Sequence, residues 1–276
     1  MNALPSESIA CKPPFIGVFD SGVGGLTVLR ALRHLMPDVP LQYVADTANA
    51  PYGERDSDFI AARSLAIAQH LVQQGAALLV VACNTATAHA VEALRRTWPE
   101  LPVVGIEPGI KPAVAASRNG RVGVMATTAT LTSARYQELL KAHAGPAHIV
   151  GQACTGLAHG IESAQLDAPE LDRLLARHCA ALIDAGVDTV LLGCTHYPLV
   201  QDRIARHLGP DVQLLNIEDA VARQAQRCWQ ALAFEPEAAP GSPASIELES
   251  TGDPAPLTRL AQQALHWPVQ ARQVLI

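Results

Sequence analysis

Short apolar runs alternate with amphipathic stretches along nearly all of this 276-residue chain, and that alternation restricts its fold more than any other feature. FIGVF (15–19), LQYVA (41–45), ALLVV (77–81), PVVGI (102–106), RVGVM (121–125), TVLLG (189–193) and VQLLN (212–216) are too short for buried helices and end at turn residues. They read as strands buried on both faces. Residues 26–35, 58–73, 87–98, 132–143 and 169–185 have the length and periodicity of helices. Strand–helix alternation requires crossover connections, so the expected class is α/β with mainly parallel sheets. Ligands of such folds bind beyond the C-terminal ends of the strands. Near the end, IELESTGD (246–253) and WPVQAR (267–272) read as short strands around one helix. They are expected to pack back onto one lobe. The Pro- and Ala-rich segment 234–245 between them and the main body reads as a loop or connection.

The chain also repeats itself faintly. IGVFDSGVGGLT begins at Ile16, and VGVMATTATLT begins 106 residues later at Val122. Cys83 in VVACNTATA and Cys194 in VLLGCTHYP lie in like settings 111 residues apart. Any α/β chain repeats strand, turn and helix. The two similar spacings argue for more: two pseudo-symmetric, doubly wound lobes. The expected division is residues 1–107 with 217–276 in one lobe and 108–216 in the other, with the site in the cleft between them.

Composition removes several function classes. A net charge of -6 and a pI of about 5.9, without a Lys/Arg run, do not suit nucleic acid as main partner. No run of about 18 apolar residues suits a membrane span. The opening residues lack the basic start and apolar core of a secretory signal. Six cysteines without CxxC spacing do not form a disulfide framework or zinc ribbon. A cytoplasmic protein is expected. Among ten histidines there is no HExxH, and Cys194 with His196 has no second ligand pair, so no metal is expected.

The remaining signals concern thiol chemistry. Cys83 and Cys194 each follow an apolar strand and precede a turn or helix start. A free thiol with a pKa of about 8.5 is only a few per cent thiolate at neutral pH. A neighbouring base such as Asp20 or His196, or a helix N-terminus, raises that fraction. Asp20 opens DSGVGG (20–25), whose glycines let backbone approach a ligand. A carboxylate there suits an ammonium group or a thiol needing a base; the alternative is a simple helix cap. Asn84, Thr85 and Thr87 offer donors to a carboxylate. In NAPYGER (49–55), Tyr52 is placed to cover or donate to a ligand; its alternative is loop packing. Thr127, Thr128, Thr130 and Thr132 add hydroxyls, or cap a helix. Glu162 taken alone reads as a surface residue. Cys154, Cys179 and Cys228 read as small apolar residues, Cys11 as incidental, and His34, His70, His178 and His207 as surface groups.

IGVFDSGVGGLTVLRAL, ADTANAPYGER, VVACNTATA, VMATTATLTSARY and LLGCTHYPL together resemble the glutamate racemases of the aspartate/glutamate racemase superfamily. The likeness runs from about Phe15 to Leu199, with an STGD echo at 250–253. It implies a cofactor-independent isomerase that racemises glutamate with two thiols. By family pattern Cys83 acts on D-glutamate, assisted by Asp20, and Cys194 acts on L-glutamate, assisted by His196. Glu162 matches a further acidic position. Asp20 and Ser21, Tyr52 and Gly53, Asn84 and Thr85, and Thr195 and His196 match substrate-binding pairs. The resemblance further implies D-glutamate supply for peptidoglycan and a homodimer. The chain departs from the pattern at Asn216 and Ile217, where Asp and Ser are usual, and at Thr155 and His159. Racemisation of aspartate and a non-catalytic amino-acid sensor are the rival readings. The geometric demand is clear: both sulfurs must face one cleft with room for one amino acid.

Overall fold

Ten strands carry the fold in the computed structural model, which describes residues 13–234, 244–263 and 265–276. Cys11 and most of the 234–245 connection lie outside the described residues. In chain order the strands are β1 (Phe15–Asp20), β2 (Leu41–Ala45), β3 (Ala76–Val81), β4 (Val103–Gly105) and β5 (Arg121–Ala126). They continue as β6 (His148–Ala153), β7 (Thr189–Leu192), β8 (Gln213–Leu215), β9 (Ile246–Ser250) and β10 (Ala271–Gln273). One sheet has the order β10-β9-β2-β1-β3-β4, the other β6-β5-β7-β8, and every described pairing is parallel.

The duplication read from the sequence is visible in these orders. The run β2-β1-β3-β4 is repeated strand for strand by β6-β5-β7-β8. The same backbone bond recurs one residue before each cysteine. Ala82 N–H donates to the Phe19 carbonyl at 2.8 Å, and Gly193 N–H to the Met125 carbonyl at 2.7 Å. The last two strands extend the first sheet beyond β2, with β9 in register from Leu41↔Ile246 to Ala45↔Ser250.

The central strands are apolar for a physical reason. Ile16, Val18 and Phe19 of β1 are fully buried, with Ile16 and Val18 on one face and Phe19 on the other. Burial of such a side chain contributes about 1.5–3 kcal/mol. Helix Leu26–Leu35 covers one face and packs on helix Glu218–Ala231, so the chain returns to its first sheet after completing the second.

Several expectations shift. The strands expected at 102–106, 189–193 and 212–216 are shorter, at Val103–Gly105, Thr189–Leu192 and Gln213–Leu215. Of WPVQAR only Ala271 and Arg272 enter a strand. β6 was missed: it is an edge strand, half-exposed along its length, so HIVGQA has no strong apolar signature. His178 is not a surface group. It is 4% exposed, with Gln152 Nε2 at 3.1 Å and the Thr155 carbonyl at 3.2 Å from its ring nitrogens. His70 and His207 are half-buried and pair with Glu249 and Asp172, respectively.

Candidate active site

Three strand ends converge to build the site. β1 ends at Asp20, β3 leads into Cys83, and β7 leads into Cys194. Cys83 and Cys194 line one small cavity and are 5% and 6% exposed. Ser21, Tyr52, Gly53, Asn84, Thr85, Thr195 and His196 line the same cavity. Asp20 and Glu162 stand one group behind it. A wider groove elsewhere, bordered by Lys111, Arg135, Asn216 and Arg223, holds neither thiol.

Cys83 caps helix Asn84–Thr97: its sulfur accepts from Ala86 N–H at 3.4 Å. It also donates to Ser21 Oγ at 3.6 Å, and Ser21 Oγ donates to Asp20 Oδ1 at 3.0 Å. The thiol is thus linked to the carboxylate through a hydroxyl. Burial first, and then the Asp20 charge, push the Cys83 thiol well up, against the helix-start N–H and Ser21. Asp20 is itself raised, chiefly by complete burial, while His196 and Thr195 pull it back. Asp20 is no helix cap. The helix it precedes, Leu26–Leu35, has Gly25 at its N-cap and no side-chain cap, and the free Asp20 oxygen accepts from Thr195 Oγ1 at 2.8 Å.

Cys194 is served differently. Its sulfur lies 3.6 Å from His196 Nδ1, and His196 Nε2 donates to the Glu162 carboxylate. Burial pushes the imidazolium down. The Glu162 charge and the bonds to Cys194 and Glu162 outweigh it, so His196 holds its proton well above the usual histidine range. The repeat explains the asymmetry. Ala126 stands where the first half has Asp20, and the second half obtains its carboxylate from Glu162 instead.

The glycines of DSGVGG meet side chains of the other half. A Cβ on Gly22 would lie 1.8 Å from Glu162 Oε1, and one on Gly24 would lie 2.5 Å from His196 Nδ1. Their lack of side chains admits the other half's Glu162 and His196. Val23 N–H between them donates to Glu162 Oε1 at 2.9 Å. Glu162, which alone reads as a surface residue, is 13% exposed and central to the arrangement.

Around the thiols the donors divide into engaged and free. Tyr52 is fully buried and its hydroxyl donates to Asp46 Oδ2 at 2.5 Å, so it has no hydroxyl proton left for a ligand. Gly53 is needed because a Cβ there would meet Thr127 at 2.7 Å. Thr85 Oγ1 contacts Thr127 and Thr130 at 3.0 and 3.2 Å, which joins the two halves. Asn84 differs: both side-chain polar atoms are buried without a partner. Such atoms cost about 1–3 kcal/mol each unless a ligand engages them. Thr127 and Ala158 also line the cavity. Ala158 had no sequence signal; Thr127 falls, by the 106-residue repeat, opposite Ser21. Of the departures, Asn216 and Ile217 lie away from the thiols: Asn216 is exposed and donates to Gln201 at 2.7 Å, and Ile217 is buried against Gly109. Thr155 and His159 border a small cavity with Gly53, Thr127 and Ala158, beside the site. Cys154 and Cys179 are buried thiols pushed up by burial, the latter to about 11. Among the described residues, no cluster of His, Cys, Asp and Glu could hold a metal, and no helix is long and apolar enough to cross a membrane.

Known proteins share this arrangement of elements. A glutamate racemase of Herpetosiphon aurantiacus is 48% identical over 248 residues, covering 90% of this chain and 96% of its own length. A Bacillus anthracis glutamate racemase structure superposes with a TM-score of 0.84 at 30% identity, covering 95% of this chain and 98% of that one. The Escherichia coli glutamate racemase, solved with L-glutamate and the activator UDP-MurNAc-Ala, gives 0.82 at 30% identity, with 95% and 99% covered. The Asp/Glu/hydantoin racemase model matches residues 26–225. That match spans the two thiols and the helices behind them, and the chain belongs to the Asp/Glu/hydantoin racemase family.

Proposed function

We propose that this protein interconverts L- and D-glutamate by proton exchange between two thiols, without a cofactor. One observation carries the reading: two buried sulfurs line one cavity, each backed by its own route to a carboxylate. In the L-to-D direction the Cys194 thiolate takes the α-proton, and the Cys83 thiol delivers its proton to the opposite face. The electron pair left on the α-carbon forms the new C–H bond, and the negative charge passes from Cys194 to Cys83. The reverse reaction begins with Cys83 as thiolate. Asp20 then accepts the Cys83 proton through Ser21, and an arriving ammonium group favours the resulting charge. Asn84, Thr85, Thr195 and the backbone around Gly53 supply donors for the substrate carboxylates. Donors fixed in advance stabilise the carbanionic transition state. The same reading makes D-glutamate for peptidoglycan in the cytoplasm, in a homodimer.

The test is α-proton exchange and racemisation in deuterated water, with Cys83→Ser and Cys194→Ser. Each is expected to lose about 10²- to 10⁴-fold, the usual worth of a general acid or base. Full racemisation by both variants would remove the two-thiol mechanism, and full racemisation with binding to aspartate alone would remove glutamate as substrate. A panel with aspartate belongs in the experiment, because one methylene is worth only about 1–3 kcal/mol in a pocket. Ligand binding without racemisation would identify a sensor.

A further inference from the structure

Behind Cys194 lies a polar group that the mechanism has not used. Tyr197 opens the short turn after the cysteine, where its N–H donates to the Cys194 carbonyl at 3.1 Å. Its side chain is fully buried in the apolar cluster that contains Cys154, Leu157, Ile161 and Cys194. Its hydroxyl is buried without a hydrogen-bond partner. A buried phenol normally finds one. The cluster around it holds the thiols of Cys154, Cys179 and Cys194, and Cys194 is the one joined to Tyr197 through the turn; burial first, and then Cys194 and Cys154, push the phenol up. A neutral thiol is a weak acceptor and leaves the phenol unsatisfied, whereas a thiolate is a strong one. The sulfur has His196 Nδ1 at 3.6 Å, and Tyr197 shares its buried apolar cluster.

We propose that Tyr197 is a positioning residue for Cys194: its buried hydroxyl is held in reserve and donates to the sulfur when that sulfur carries charge. The inference rests on the reading of Cys194 as a thiol base. It explains why a core position next to the thiol carries a hydroxyl at all, since phenylalanine would fill the same space without an unsatisfied donor.

The test is Tyr197→Phe in the full chain. A hydrogen bond to a charged group is worth enough to lower kcat/KM about 10- to 100-fold. The enantiomers have equal free energies, so kcat/KM must fall equally in both directions. The primary isotope effect must not: α-deuterated L-glutamate, whose deuteron goes to Cys194, shows a larger effect than in the parent, and α-deuterated D-glutamate a smaller one. The pH midpoint for alkylation of Cys194 by iodoacetamide, read by peptide mass spectrometry, moves up by about one to two units. Thermal unfolding occurs at the same or a higher temperature, because an unsatisfied hydroxyl has been removed. Cys154→Ala keeps the parent kcat/KM and Cys194 midpoint. The proposal is overturned if Tyr197→Phe stays within twofold of the parent, or if it loses activity without the isotope asymmetry and the shifted midpoint. A loss in Cys154→Ala equal to that in Tyr197→Phe overturns it as well, by assigning the hydroxyl to Cys154. Cys194→Ala separates the two levels. If that variant racemises normally, the thiol-base reading itself is wrong; if it is inactive while Tyr197→Phe is unaffected, only the role of Tyr197 is.

Discussion

Replacing Gly22 with alanine sets two physical effects against each other. Gly22 is not among the glycines with positive φ, so its backbone accepts alanine without strain. On conformational grounds alone the change stabilises the fold by about 0.4–1 kcal/mol, by narrowing the unfolded ensemble. The contact geometry has the opposite consequence, because the new methyl would sit 1.8 Å from Glu162 Oε1. Glu162 is the end of a flexible side chain, so it can swing aside and the fold survives. What is lost is its bond from His196 and the 2.9 Å bond from Val23 N–H. A hydrogen bond between charged groups is worth about 1.5–3 kcal/mol, which lowers the proton affinity of His196 by about one to two pH units. The expected result is a fold less stable by about 0.5–2.5 kcal/mol near neutral pH, with kcat/KM reduced about 10- to 100-fold, read by urea unfolding and by circular dichroism of glutamate. The pH dependence has a definite sign. His196 binds its proton more tightly folded than unfolded, so its contribution is complete below 6.5 and is lost as pH rises through the folded value. The stability gap between parent and variant is therefore widest just below 6.5 and closes at alkaline pH. A Gly22→Ala protein as active as its parent would refute the claim that this glycine exists to seat Glu162. The double variant with Glu162→Ala provides the cycle: it loses no more activity than Glu162→Ala alone.

Three other outcomes are expected. Asn84→Ala removes two unpartnered buried atoms, so it unfolds no more easily than the parent while KM rises about tenfold or more; an unchanged KM would take Asn84 out of the binding set. Tyr52→Phe loses only the bond to Asp46, so urea unfolding falls by about 1–2 kcal/mol with KM unaltered. Asp46→Asn costs about 3–5 kcal/mol, because burial is opposed by Arg63, Tyr52, Asn49 and Thr251, which together hold its carboxyl below the usual range. Its stabilisation is present above 3.8 and is lost as pH falls through the lowered folded value, so the cost of Asp46→Asn shrinks in acid.

The parts legible in the sequence were those with strong local physics. β1, β3 and β7 are buried on both faces, so their apolar runs are unbroken, and the cysteines after them stood out. β6 lies at an edge with one side toward water, so His148–Ala153 had no such run. His196 is visible two residues from a thiol, and Asp20 as a carboxylate at a strand end that opens a glycine-rich turn. Glu162 was not, because its partners are 139 and 34 residues away and no local pattern records them. The glycines of DSGVGG were noticed as a device for close approach. Their closeness to Glu162 and His196 is not written in the loop, since a loop sequence says nothing about which distant side chain it will meet.

The two sheets share one strand order, yet the site belongs to neither of them alone. Thr195 bonds Asp20, Val23 bonds Glu162, Thr85 meets Thr127, and Thr27 reaches the Thr195 carbonyl. Each of these pairs joins a residue that ends or follows a strand of one sheet to a residue that follows a strand of the other. A chimera that joins the first half of this protein to the second half of a relative therefore inherits two intact scaffolds and a mismatched seam. Residues 20–27 and 84–85 have to travel with 127, 162 and 194–196 as one heritable unit. The halves of a duplicated fold can drift apart over most of their surfaces, but along this line a change in one has to be answered in the other.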